Sequence, residues 1–75
     1  MNQPEEALDY YEKAAKLRKN EFTTPKFLLK AAITALELKD GAKAEKYLNQ
    51  IDAEYQDSAE ASEVAIYLGQ AKAMQ

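Results

Sequence analysis

The sequence predicts an all-α chain of four helices paired as antiparallel hairpins, in a single domain spanning residues 1–75. Apolar residues recur at spacings of three and four along most of the chain, the period of a helix face. Clusters of Asn, Asp, Gly, Ser and Pro interrupt that period at three places, each only about two to five residues long, so consecutive helices pack antiparallel. No segment alternates with period two, and no hairpin turn pair is present, so nothing in the chain reads as strand.

The first helix is expected over about 4–19. It starts at Asn2-Gln3-Pro4, because proline is tolerated in a first turn, where its missing N–H would have no partner anyway. Glu5 and Glu6 suit the positive helix end and Lys16, Arg18 and Lys19 the negative one. Ala7, Leu8, Tyr11, Ala14 and Ala15 make its apolar face, and Asn20 reads as a left-handed cap.

Thr24 as N-cap and Pro25 at the first helical position open the second helix, expected over about 24–39. This helix carries two apolar stripes: Leu28, Ala31, Ala32, Ala35 and Leu38, then Leu29, Ile33 and Leu36. A helix apolar on more than one side should sit centrally among several neighbours. Lys39-Asp40-Gly41 turns the chain, with Asp40 capping the third helix (about 41–55) and Gly41 relaxing the backbone. That helix should bury Ala44, Tyr47, Leu48, Ile51 and Tyr55. Ser58 caps the fourth helix (about 58–73), whose face is Ala61, Val64, Ala65, Leu68 and Ala71.

Composition excludes several functions. With no Cys and no His, the chain has no disulfide scaffold, no Cys/His zinc site and no imidazole catalysis. Its two glycines, Gly41 and Gly69, form no phosphate loop, and Ser58 and Ser62 have no base partner. No enzyme activity and no cofactor is expected. The net charge of −3 argues against a nucleic-acid partner, which calls for a basic stripe. The charge is uneven: residues 1–46 sum to +1 and residues 47–75 to −4. No apolar run approaches the roughly 18–20 residues that membrane insertion needs.

An internal repeat is visible between the first and third helices. Ala7/Ala44, Tyr10/Tyr47, Tyr11/Leu48 and Ala14/Ile51 all lie 37 residues apart. The pattern resembles the tetratricopeptide repeat (TPR) family, a helix-turn-helix unit of about 34 residues. In that likeness a full unit runs from about Pro25 to Ser58. Leu28, Ala31 and Ala32 take the helix A positions, and Ala44, Leu48 and Ile51 those of helix B. Ala35 stands where the family has an aromatic residue, and Gln56 where it has the closing proline.

The resemblance implies a right-handed array of four helices. The first would be a helix B without its helix A, and the fourth a terminal helix. It also implies a protein-interaction scaffold in which the A helices line a groove for a peptide or partner helix. The expected contact residues are Leu29, Ile33 and Leu36, with Lys26 and Tyr10 beside them. The positions that clamp a terminal carboxylate in chaperone-tail-binding members are apolar here. If the chain leaves the Leu29-Ile33-Leu36 stripe in water, self-association into a homodimer through the second helix follows.

The alternatives are a C-terminal capping segment of a longer array and a four-helix regulatory bundle outside the family, neither with a ligand of its own. The expected chain is soluble, and the junction Tyr55–Ala61 resembles that of bacterial envelope members. The expected location is therefore the bacterial cytoplasm or cell envelope.

Overall fold

A computed structural model describes residues 4–17, 20 and 22–74. It contains α1 (Pro4–Leu17), α2 (Thr24–Glu37), α3 (Gly41–Glu54) and α4 (Ala61–Ala73). Each helix packs on the next in the chain, and α4 also reaches back to α2. Thus α2 packs on every other helix, whereas the backbone of α1 approaches that of α2 alone. The Cα envelope is a slab of 28 × 27 × 15 Å, two helices thick.

The core forms around α2 and α3. Ala31, Ala32 and Ala35 are wholly buried in one cluster with Tyr47, Leu48 and Ile51. The small side chains of α2 leave room for the large ones of α3, so the two helices approach closely at high packing density. Leu8 and Ala15 of α1 and Val64 and Ala71 of α4 complete the cluster. Tyr55, Ala61 and Leu68 are half-buried against it, and Ala65, expected on this face, is exposed.

Burial also corrects the repeat register. At a spacing of 37, Tyr10 is exposed while Tyr47 is buried. At a spacing of 36, buried Leu8 pairs with buried Ala44 and buried Ala15 with buried Ile51. Environment, not identity of side chain, sets the equivalence.

The turns depart from expectation in instructive ways. Asn20, expected to end the first helix, lies in the linker before α2. Its side-chain oxygen instead accepts from the backbone N–H of Phe22 (2.7 Å) and Thr23 (3.2 Å), shaping the approach to α2. Thr23 occupies the N-cap position without a side-chain capping bond, and the buried Thr24 hydroxyl accepts from the Asn20 N–H at 2.8 Å. Arg18, Lys19, Asn2 and Gln3 lie outside the described residues.

At the end of α2 the left-handed residue is Lys39, with φ 60°. The Asp40 N–H donates to the Ala35 carbonyl at 2.8 Å and the Lys39 N–H to Leu36 at 3.0 Å. This is the Schellman pattern. Gly41 is buried at the start of α3 with no positive φ, so its role differs from the expected one. Asp40 does cap α3, accepting from the Lys43 N–H at 3.1 Å. A lysine in the left-handed region pays a steric cost that glycine does not. Lys39→Gly should therefore stabilise the chain by about 0.5–1 kcal/mol, read from the urea midpoint.

The fourth helix begins at Ala61, later than 58, because Tyr55–Glu60 folds as successive tight turns. The Ser58 N–H donates to the Tyr55 carbonyl at 3.0 Å, and the Ala61 N–H to both the Ser58 carbonyl (3.1 Å) and hydroxyl oxygen (3.2 Å). Ser58 thus organises the turn before α4 and, through its hydroxyl, accepts the N–H of that helix's first residue, as expected of a cap.

Candidate functional site

The Leu29-Ile33-Leu36 stripe is not the open surface that the sequence suggests. Leu29 (9% exposed) and Leu36 (8%) belong to the core, and Ile33 is half-buried against it. Both leucines lie in the one core cluster that also holds Val64 and Ala71 of α4, the helix that returns to α2. The Lys26 ammonium meets the Glu60 carboxylate at 3.2 Å where the two helices come together. A homodimer through this stripe would require Leu29 and Leu36 to leave the core.

What remains accessible on α2 is a neighbouring strip. Lys26, Lys30 and Glu37 are exposed and Ile33 is half-exposed. Their spacing of four, three and four keeps them on one face. On the α1 side the strip is bordered by aromatic rings. Tyr10 and Tyr11 meet edge to face at 5.7 Å, and Tyr11 lies 6.4 Å from Phe27. The Lys30 ammonium sits 5.9 Å from the Tyr11 ring centre, a cation–π distance. Of the residues expected at the site, the structure therefore leaves Tyr10 (63% exposed) and Lys26 accessible, Ile33 partly so, and Leu29 and Leu36 not at all. Tyr11, Phe27 and Lys30 join the surface without having been singled out. Their signal was the spacing of Phe27 and Lys30, three apart on the helix that faces Tyr11.

Two concavities flank this region. One lies at the helix ends, lined by Phe22, Lys26, Tyr55 and Glu60 among others. The other lies between α1 and the α2–α3 turn and carries Glu5, Asp9, Glu12 and Asp40 against Lys43. At its floor the buried Tyr47 hydroxyl donates to the Glu12 carboxylate at 2.5 Å. That bond holds the Glu12 carboxyl below its ordinary pKa, with Lys16, Lys46 and Lys43 adding to the effect. Burial, then the Glu12 contact, pushes the Tyr47 phenol well above its ordinary value. Among the described residues no group of three or more Asp or Glu side chains is placed to hold a metal ion. No described helix is long and apolar enough to cross a membrane.

The geometry is that of helical hairpins stacked side by side, with small residues at the close approaches. The tetratricopeptide repeat model matches residues 1–65. The chain belongs to the tetratricopeptide repeat family. No curated protein and no solved structure matches it. Tetratricopeptide repeats generally mediate protein–protein interaction and are typically non-enzymatic scaffolds. In this TPR chain α2 and α3 form the full hairpin, α1 the helix stacked before it and α4 the helix stacked after it.

Proposed function

We propose that this TPR chain binds an extended peptide carrying acidic residues beside an apolar one, across the strip formed by Lys26, Lys30 and Ile33 and the rings of Tyr10, Tyr11 and Phe27. The observation that carries this reading is the placement of two exposed lysines, one helical turn apart, against a continuous aromatic border. The ammonium groups attract carboxylates, and the rings supply rigid apolar contact area at small entropic cost. Lys26 is already ion-paired to Glu60, yet its side chain is 59% exposed. The Glu60 side chain is only 13% exposed, so that pair stays made, and the remaining N–H donors of the Lys26 ammonium are free to take a ligand carboxylate.

Peptides selected from a random displayed library against the chain should be rich in Asp or Glu next to Leu, Ile or an aromatic residue. Binding of those peptides to the double variant Lys26→Glu/Lys30→Glu should weaken at least tenfold, about 1.4 kcal/mol, and should fall with salt. Equal affinity for both proteins, or amide shifts mapping away from α1 and α2, would refute the assignment.

A further inference from the structure

Asp40 is followed by Gly41, whereas Asp9, Asp52 and Asp57 are followed by Tyr10, Ala53 and Ser58. An Asp–Gly step is the one most open to attack on itself, because glycine has no Cβ to shield its amide nitrogen and its backbone turns freely. In that reaction the Gly41 nitrogen bonds to Cγ of Asp40 in its acid form. The amide proton and the side-chain hydroxyl leave as water, and a succinimide ring closes. Water then reopens the ring at one of its two carbonyls. Opening at Cγ restores aspartate. Opening at the main-chain carbonyl breaks that carbon's bond to nitrogen and leaves isoaspartate, with the main chain running through the former side chain. No oxidation or reduction occurs, water is the only co-reactant, and the mass is unchanged.

The fold holds this reaction shut in three ways. The ring closes only with the Gly41 nitrogen turned to the same side of the Asp40 Cα–C bond as Cβ, and at the observed ψ of 80° the nitrogen lies on the opposite side. The Asp40 N–H donates to the Ala35 carbonyl at 2.8 Å and its carboxylate accepts from the Lys43 N–H at 3.1 Å, so Asp40 cannot turn without giving up the end of α2 or the cap of α3. Gly41 is buried, away from the solvent that must take its proton. We propose that Asp40–Gly41 is a modification site gated by the fold. Isoaspartate forms there only when the α2–α3 hairpin opens, at a rate set by the open fraction.

The product does not fit the closed hairpin. Only Leu38, Lys39 and Asp40 join α2 to α3. Isoaspartate lengthens that link by one main-chain carbon and moves the free carboxylate onto Cα. The bond to the Ala35 carbonyl and the cap on the Lys43 N–H both depend on the shorter link. α3 brings Tyr47, Leu48 and Ile51 to the core, so a misfit at its start weakens the packing of its neighbours as well. Opening is reversible until the ring forms, and one-way once isoaspartate is left behind.

Wild type held for weeks at mildly acidic pH, native and in concentrated guanidinium chloride, tests this. Digestion with an endoprotease that cuts before aspartate but not before isoaspartate, followed by mass spectrometry, reads each site. In denaturant isoaspartate should appear at Asp40 ahead of Asp9, Asp52 and Asp57. In the native chain it should form at Asp40 at least about tenfold more slowly. Gly41→Ala should slow the denatured reaction at least about fivefold, since a Cβ then stands beside the attacking nitrogen. That comparison does not need the variant to fold. The isomerised chain, separated by chromatography, should unfold at a lower denaturant concentration than wild type. Equal rates at Asp40 in native and denatured chains, no isoaspartate at Asp40 in denaturant, or an isomerised chain as stable as wild type overturns the proposal.

Discussion

Leu28→Asp should leave the chain unfolded at 25 °C. Leu28 is 3% exposed, on the one helix that touches all the others. The substitution removes a buried leucine, which alone costs about 2–5 kcal/mol. It also puts a carboxylate where no buried basic partner exists among the core residues, adding several kcal/mol whether the group ionises or takes up a proton. A chain of this length holds only about 4–11 kcal/mol in total. The loss should not stay local. α1 packs along α2, and its tie to α3 is the Tyr47–Glu12 side-chain bond, so once α2 loses its core contacts α1 has little surface to fold on. A repeat array transmits stability only through such nearest-neighbour contacts. Far-UV circular dichroism should show loss of helicity across the whole chain. Leu17→Glu, the same kind of change at a side chain 83% exposed, should shift stability by no more than about 0.5 kcal/mol. A cooperative melt retained in Leu28→Asp would mean that the core lies elsewhere.

Helix positions were legible because a face that must be buried repeats every three or four residues, and Ala44, Leu48 and Ile51 on α3 are buried as that period requires. The central place of α2 was legible for the same reason: two apolar stripes need two sets of neighbours. Which neighbours cover the second stripe was not legible. Leu29 and Leu36 are equally apolar whether α4 covers them or a partner does, and the return of α4 is a long-range fact that no local pattern states. The exposed apolar residues show the converse. Leu17 and Ile66 both fall off the stripes of their own helices, a signal present in the sequence that points to solvent-facing side chains. Capping was read correctly at Asp40, whose carboxylate sits next to the helix it serves. At Asn20 it was only partly legible, because the same side chain can end one helix or lead into the next, and here it also accepts from the N–H groups of Phe22 and Thr23.

Tyr47→Ala should cost about 3–5 kcal/mol, the usual loss for a buried aromatic ring and the cavity it leaves. The ring is 2% exposed within the α2–α3 core. Tyr47→Phe keeps the ring and removes only the hydroxyl, and should cost about 1–2 kcal/mol. A hydrogen bond to a charged group is worth more than a neutral one, but Glu12 is open enough to recover water. The bond also spans α3 and α1, whose backbones do not approach each other, so its loss should loosen α1 first and raise amide exchange there.

The pH dependence separates the bond from the packing. The folded Glu12 pKa is depressed, so its contribution is complete above the ordinary carboxyl value of about 4.3 and is lost as pH falls through the lower, folded value. The folded Tyr47 pKa is raised. Its contribution is complete below the ordinary phenol value of about 10 and declines above it, as the unfolded chain ionises first. The stability difference between wild type and Tyr47→Phe should therefore be flat between about pH 5 and pH 9 and shrink on either side. The difference between Tyr47→Phe and Tyr47→Ala, which is packing alone, should stay constant through the acid range. Urea titrations at acid and neutral pH read both differences. An acid-independent gap between wild type and Tyr47→Phe would show that the carboxylate does not hold the hydroxyl.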